Sequence, residues 1–195
     1  MPQLCLRIIR DEHAALAAML RSLTLMVKRG PKRDTDTFFT VLRAMLFYVD
    51  EFPERLHHPK ETELLFPKLR RLSPQIGADL NRLDLDHAKG EANIRELQHL
   101  LLAWEFIGGT RRGAFEGACL RYVKFYFEHM QMEETLILPA AERWLSAEDW
   151  SELDEAFDSN RDPLTRQYPP DPAYERLFDY ILLTAPAPIG VGEDV

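Results

Sequence analysis

The feature that most constrains this chain is a helical repeat of apolar residues that returns in four long segments. In each segment the apolar side chains recur at alternating steps of three and four residues, which places them on one face of an α-helix. The segments span about residues 4–28, 34–72, 74–106 and 113–145, and patterns typical of β-strands are nearly absent. Four long helices with short connections run antiparallel to their neighbours. The sequence therefore predicts an all-α, up-down-up-down four-helix bundle.

Helix-stop, N-cap and proline signals mark the ends of these segments. They are Gly30-Pro31 after the first segment, Asp34 or Thr35 at the start of the second, Ser73-Pro74 at the start of the third, and GGTRRG (108–113) before the fourth. Inside the second segment, Pro59 is expected to break or kink the helix, because its ring crowds the preceding turn.

A shorter region follows the four segments. Ser146 and Asp149 give a capping-box start to a short helix, a proline-rich loop follows it, and a last amphipathic helix is expected near residues 173–184. The last ~10 residues have the composition of a disordered tail. Residues 146–195 are too short for a core of their own, so we expect a helical extension packed on a bundle formed by residues 1–145.

Charge and cysteine usage exclude several classes of protein. The formal net charge is −8, and the short KRGPKR sequence (28–33) is the only cluster of basic residues, so we expect neither a nucleic-acid nor an anionic-membrane surface. Cys5 and Cys119 lie far apart in the chain. With no secretory signal and no apolar run long enough to span a bilayer, the sequence predicts a cytoplasmic protein with reduced thiols.

Polar residues interrupt the apolar stripes in a repeated way. Each segment has one histidine on or beside its inward stripe, and three of these histidines have a glutamate four residues later, on the same helix face. These residues are His13, the pair His57 and Glu61, the pair His87 and Glu91, and the pair His129 and Glu133.

Positions along the helices place these residues in one layer. Glu61 and His87 each lie about a dozen residues from the loop between the second and third segments, or ~18 Å at the helical rise. Glu91 and His129 each lie about 16 residues from the next loop, or ~24 Å. Burying several unpaired carboxylates costs several kcal/mol each, and a cation at their centre removes that cost. The layer therefore predicts a metal site.

The residue types narrow the choice of metal. Imidazole and carboxylate without thiolate suit iron, manganese or zinc. Seven ligands are too many for one such ion and suit two ions bridged by carboxylates. We expect iron.

Four motifs, in this order, resemble the hemerythrin-like family of histidine–histidine–glutamate cation-binding domains. They are RDEH ending at His13, HHPKETELLFP (57–67), LDH ending at His87, and HMQMEETLILP (129–139). The resemblance covers about residues 4–145. It implies a four-helix bundle around two non-haem iron ions (Fe2+/Fe3+), oxo- or hydroxo-bridged. The ligands that it implies are His13, His57, Glu61, His87, His129 and Glu133, with Glu61 and the fourth-helix acid as bridges.

The chain departs from the family pattern at two places. Oxygen-carrying members have a second histidine one turn after the third-helix histidine, where this chain has Glu91, and a carboxylate there would stabilise ferric iron and disfavour simple reversible oxygen carriage. The fourth-helix acid lies five residues after the histidine in some members, which would be Glu134. His58 is expected to support the ligands from outside or to lie on the surface. Tyr126 could hydrogen-bond near the site, but core packing is the better explanation of its position.

Three functions follow from the resemblance. The first is binding or sensing of a small diatomic, O2 or NO. The second is a di-iron oxidase or peroxidase that reduces oxygen or peroxide, and the third is iron storage, delivery or repair of iron centres. A ferritin-like oxidase would need Glu-x-x-His on two helices, and the fourth segment has no such motif. Whether the protein is an enzyme, and its oligomeric state, stay open at this point.

Overall fold

The computed structural model describes residues 4–32, 34–165, 172 and 174–192, and these residues form helices and connecting turns with no β-strand. The α-helices are α1 (Leu4–Arg29), α2 (Thr35–Val49), α3 (His58–Lys60), α4 (Phe66–Leu72), α5 (Gly77–Ile107), α6 (Arg112–Met132), α7 (Leu138–Trp144), α8 (Ala147–Asp158) and α9 (Glu175–Thr184). The π-helical segments are Asp50–His57, Glu61–Leu65 and Glu133–Ile137, and the 3-10 turns are Pro74–Ile76, Gly109–Arg111 and Pro163–Thr165.

Four long helices make up the bundle, because π-helical segments join some of the shorter α-helices end to end. Helices α2 to α4 form one continuous rod over residues 35–72, and α6 and α7 form another over residues 112–144. We call these the second rod and the fourth rod. Helix α1 packs against α2 and α6, and α5 also packs against α2 and α6, so the four bundle helices form a closed ring of neighbours. The predicted all-α four-helix bundle is confirmed.

The prolines of the rods are accommodated by widened turns. The second rod runs through Pro59 to Leu72 without a break. In the π turns the N–H of residue i+5 donates to the carbonyl of residue i, namely Phe66 to Glu61 and Leu138 to Glu133. A proline follows each donor residue, Pro67 after Phe66 and Pro139 after Leu138. A wider turn relieves the crowding that the proline ring causes in a regular α-helix.

Local signals at the helix ends match the sequence. The side chain of Asp34 accepts a hydrogen bond from the Thr37 N–H and caps α2. The capping box of Ser146 and Asp149 at the start of α8 is confirmed, with both reciprocal hydrogen bonds present. Gly30, at a φ of +70°, follows the last residue of α1, where a left-handed conformation favours glycine.

The apolar core has two parts, and a polar layer separates them. Along α1, His13 lies between Ile9 in one apolar cluster and Leu16 in the other. Along α5, His87 likewise lies between Leu83 and Ile94. The bundle therefore holds its polar layer in the middle, with apolar packing above and below that excludes water.

The C-terminal region packs on the bundle. Helix α8 contacts α1, and α9 contacts α2. The Ser22 hydroxyl on α1 donates to the Pro186 carbonyl at 2.7 Å and accepts from the Ile189 N–H at 3.0 Å. Residues 166–171 of the expected proline-rich loop, and residues 193–195 of the expected disordered tail, lie outside the described residues.

Two features of the whole chain complete the description. Cys5 and Cys119 are both buried and unbridged, and they lie in different parts of the apolar core. Among the described helices, none combines the length and the apolar character that crossing a membrane requires.

Candidate metal centre

Seven buried side chains converge in the polar layer between the two apolar clusters. Their candidate ligand atoms form three overlapping groups, and within each group all atoms lie within 4.8 Å of one another. The residues are His13, His57, His58, Glu61, His87, His129 and Glu133, which we call the cluster. The four bundle helices all contribute to it, as the matched heights of these residues predict.

The two carboxylates lie between two sets of histidines. His13 and His57 form one set, and His58, His87 and His129 form the other. Each carboxylate has oxygens close to an Nε2 atom of both sets. For Glu61 these are His57 at 3.3 Å and His87 at 3.5 Å, and for Glu133 they are His13 at 3.3 Å and His129 at 3.2 Å. Carboxylates placed in this way would be able to join cations held by the two sets of histidines.

Hydrogen bonds on the outer side of the rings orient four of the five histidines. In each of the four, Nδ1 contacts a side-chain oxygen outside the cluster, which leaves Nε2 as the nitrogen available to the centre. The contacts are His13 with Glu134 at 3.1 Å, His57 with Glu12 at 2.6 Å, His58 with Glu54 at 3.1 Å, and His87 with Thr62 at 2.8 Å. Histidines that bind metals characteristically have such an outer partner, because it fixes the tautomer and the ring orientation.

Several polar atoms inside the cluster lack a hydrogen bond. Both carboxylate oxygens of Glu61, both of Glu133, and Nε2 of His57 are fully buried and have no hydrogen-bond partner among the described residues. The neighbouring nitrogens lie near enough for charge interaction, but not in hydrogen-bond geometry. Unsatisfied buried carboxylates are costly. Cations at the centre would satisfy all of these atoms, so the residues present fit a metal site.

The protonation of the histidines compensates the buried carboxylates. Burial lowers the pKa of His13 and His87, but their close approach to carboxylates outweighs burial and raises both to about 9. These carboxylates are Glu133 and Glu134 for His13, and Glu133 and Glu61 for His87. In the absence of a metal, the protonated rings therefore balance the negative charge of the carboxylates. A metal would displace these protons, because it binds the neutral ring.

Two other members of the cluster favour the ligand form. Burial acts to raise the pKa of Glu133, but the charge of His129 and the close approach of the other histidines hold that pKa well below its ordinary value. Burial, together with the charges of His87 and His129, lowers the pKa of His58 well below its ordinary value. Glu133 is therefore ionised and His58 neutral, as metal ligands must be.

A group of buried residues supports His58 from behind. Glu54 contacts Nδ1 of His58 and accepts hydrogen bonds from the Tyr122 hydroxyl, at 2.9 Å, and from the Tyr126 hydroxyl. The Tyr126 ring also stacks on the His58 ring, with 5.6 Å between centroids. Gly90 leaves the space for this arrangement, because a Cβ there would lie 2.0 Å from the Tyr126 hydroxyl oxygen. Tyr126 therefore does hydrogen-bond near the site, through Glu54.

The expectation for Glu91 has to be corrected, because the structure does not bring it to the cluster. Its side chain is 51% exposed and pairs with Arg95 on the surface of α5. Helix α5 keeps regular α geometry, and its buried stripe continues from His87 to Gly90 and then to Ile94. Glu91 therefore lies beside the stripe. His58, expected outside the ligand set, is buried within the cluster instead.

The choice between the two acids of the fourth rod is clear in the structure. Glu133 is 1% exposed and lies in the cluster, whereas the side chain of Glu134 is 46% exposed and contacts Nδ1 of His13 from outside. The carboxylate four residues after His129 is the inner one, and the next carboxylate is an outer partner.

Four residues around the cluster were not singled out from the sequence. Glu12, Glu54, Thr62 and Asn160 reach the histidines, directly or through one another. Glu12 and Thr62 lie within the quoted motifs, next to His13 and Glu61, and that adjacency was the available signal. Nothing in the helical periodicity marks Asn160, because its contact depends on how α8 packs on α1.

The fold and the cluster define a class: a four-helix bundle with a cation site of histidines and glutamates. A family model described as hemerythrin HHE cation binding domain matches residues 5–141, and no curated protein matches the chain significantly. The chain belongs to this hemerythrin family. The match includes all seven residues of the cluster and ends before α8.

Proposed function

We propose that this protein binds two iron ions in the cluster and binds or senses O2, or another small diatomic such as NO, at that centre. The observation that carries the proposal is the pair of buried carboxylates, Glu61 and Glu133, each lying between two sets of histidines. Cation binding follows from the family. The identity of the metal, the number of ions and the diatomic ligand are the proposed part.

The donor set supports iron and a division into two unequal positions. His58, His87 and His129 would hold one ion, His13 and His57 the other, and the carboxylates would join them. Nitrogen and oxygen donors without thiolate suit non-haem iron with open coordination positions. When bound, the iron would supply redox chemistry. His13 and His57 offer fewer nitrogen donors than His58, His87 and His129, so a small ligand would find room on the side of His13 and His57.

A small cavity lies on that side. Its volume is about 10 Å3, which is room for one water-sized molecule. Three histidines and several apolar side chains line it, among them His13, His57, His58, Leu16, Phe52, Leu56 and Met130. The apolar residues limit the access of bulk water, and the size restricts entry to very small molecules, which supports a small ligand over an organic substrate.

The corrected position of Glu91 also favours ligand binding. A carboxylate in place of a histidine would have stabilised ferric iron and disfavoured reversible oxygen binding. Because Glu91 pairs with Arg95 on the surface and His58 lies in the cluster, the donor set has five histidines and two carboxylates. The chemical objection to reversible binding therefore falls away.

Absorption spectroscopy tests the proposal. Protein loaded anaerobically with two ferrous ions per chain would be recorded before air, after air, and after oxygen is removed again. We expect a new near-ultraviolet and visible band that disappears on removing oxygen. A band that persists while peroxide is formed or consumed would indicate turnover instead of binding, and no band with no retained iron would overturn the proposal.

One observation favours redox turnover as a second candidate. The Asp162 carboxyl lines the same cavity, and burial raises its pKa to about 7, so part of the population carries a proton at neutral pH. Reduction of oxygen or peroxide to water consumes protons as well as electrons. Repeated consumption of peroxide in the presence of a reductant, lost in Asp162→Asn, would support this candidate.

A further inference from the structure

The segment after the family domain returns to the metal centre. The family match ends at residue 141, whereas Asn160 and Asp162, in the turn after α8, are each only 4% exposed and line the cavity beside the histidines. Arg161 between them is exposed and has a φ of +47°. A left-handed conformation is unfavourable for arginine and persists where the surrounding structure requires it. Here it accompanies the burial of both neighbouring side chains.

Two side-chain hydrogen bonds tie Asn160 to residues next to the cluster. Its Nδ2 donates to Oε2 of Glu12 at 3.0 Å, and the same Glu12 oxygen contacts Nδ1 of His57 at 2.6 Å. On its other side, Oδ1 of Asn160 accepts from Nζ of Lys60, the residue before Glu61. Asn160 thus lies between α1 and the second rod and restrains the carboxylate that holds His57.

We propose that Asn160 is a positioning residue for one of the two metal positions, the one formed by His13 and His57, and that it acts through Glu12. By holding the Glu12 carboxylate against Nδ1, it fixes the ring so that Nε2 of His57 faces Glu61. The inference rests on the proposed function, since it assigns a role within that centre. It also means that the family domain alone does not complete the outer side of the site.

The effect is confined to one half of the centre because the other half has separate outer partners. Thr62 contacts Nδ1 of His87, and Glu54 contacts Nδ1 of His58. The side-chain hydrogen bonds of Asn160 go to Glu12 and Lys60 instead. Loss of Asn160 should therefore weaken one ion and leave the other, and loss of Thr62 should weaken the other ion.

Anaerobic titration of the full-length protein with Fe2+ against a competing chelator tests this. Wild type should retain two ions per chain. Asn160→Leu, of similar volume, should retain one ion at wild-type affinity and bind the second about 10–100-fold more weakly, the usual effect of removing an outer partner. Ser159→Ala is the matched control, because it removes the neighbouring contact with Lys60 without touching Glu12. Thr62→Val should weaken one ion too, and the variant with both Asn160→Leu and Thr62→Val should weaken both.

A second readout does not need iron. In the metal-free protein, NMR of the His57 Nδ1 proton should show slow exchange with water in wild type and Ser159→Ala, and about tenfold or faster exchange in Asn160→Leu. Asn160→Asp, which keeps the shape and removes the donor, should behave like Asn160→Leu and takes its place if the leucine variant fails to fold.

The outcomes separate the two proposals. Wild-type iron retention and wild-type proton exchange in Asn160→Leu would overturn the role of Asn160 while leaving the iron centre intact. Equal weakening of both ions would also overturn it, because Asn160 would then support the fold and not one position. No iron retained by wild type would overturn the proposed function, and the exchange measurement would still decide whether Asn160 holds Glu12 against His57.

Discussion

At the scale of single residues, the centre depends on which nitrogen of each histidine faces inward. Three carboxylates and one hydroxyl outside the cluster contact Nδ1 of four rings, from Glu134, Glu12, Glu54 and Thr62. Such partners raise the basicity of the ligand as well as orienting it. Substitutions at these positions should therefore change metal affinity without removing a ligand.

Substitution of His58 and Glu91 tests the corrected ligand set. Removing a buried ligand should weaken one ion by more than ~100-fold, beyond the usual effect of losing an outer partner, so His58→Ala should lose one of two ions. Glu91→Gln should retain both, because Glu91 lies on the surface with Arg95. Iron per chain after gel filtration measures both. Loss of iron in Glu91→Gln with retention in His58→Ala would restore the assignment made from the sequence.

Two glycines in the bundle should respond in opposite ways to alanine. In Gly90→Ala the new Cβ would meet the Tyr126 hydroxyl oxygen at 2.0 Å, so we expect a loss of about 1–3 kcal/mol in the free energy of unfolding. In Gly117→Ala the nearest atom is the end of the Arg121 side chain at 3.4 Å, so a gain of roughly 0.5–1 kcal/mol is expected. Urea denaturation measures both, and equal effects would contradict the close packing at Gly90.

At the scale of the elements, periodicity predicted the four helices but not their internal geometry. The pairing of residues i and i+4 identified Glu61 and Glu133, and both are the first residues of a π turn. The same rule failed for Glu91, which lies in a regular α-helix. The buried stripe of that helix continues from His87 to Gly90, three residues later, and not to Glu91. The sequence did not predict that His58 lies in the cluster, because consecutive residues of a regular helix, such as His57 and His58, point in different directions. In the structure, π-helical segments precede His58 and closely follow it, so the helix is not regular there.

The turn after α8 makes a prediction about pH. Burial raises the pKa of Asp162 from its ordinary value near 3.8 to about 7. Hydrogen bonds from Tyr48 and the Leu164 N–H act to lower this pKa, as does the charge of His57, whereas the charge of Glu12 acts to raise it. Between these values the folded protein holds a proton that the unfolded chain releases. The stability from this proton is complete below pH 4 and is lost as pH rises through 7.

Asp162→Asn removes this dependence because an amide does not titrate. Relative to wild type, the variant should gain about 2 kcal/mol in the free energy of unfolding between pH 5 and pH 7, with little further gain at higher pH. Urea denaturation at pH 5, 7 and 8 measures the difference. Parallel pH dependences in the two proteins would mean that Asp162 is ionised in the folded state.

At the scale of the whole molecule, apolar packing and the C-terminal region enclose the cluster. Positions along the helices predicted that the histidines share one layer of the core, and the structure places that layer between the two apolar clusters. The contact between Asn160 and Glu12 joins residues 148 positions apart, and no local pattern could predict it. It arises from Trp150, Leu153 and Phe157 of α8, which are buried in one part of the core.

The central claim is that the seven buried residues hold two iron ions. The most direct test is to load the protein anaerobically with ferrous ion, remove unbound iron by gel filtration, and count the iron per chain by elemental analysis. The account predicts two ions per chain in wild type and about one in His58→Ala. Retention of no iron by correctly folded wild-type protein would contradict it.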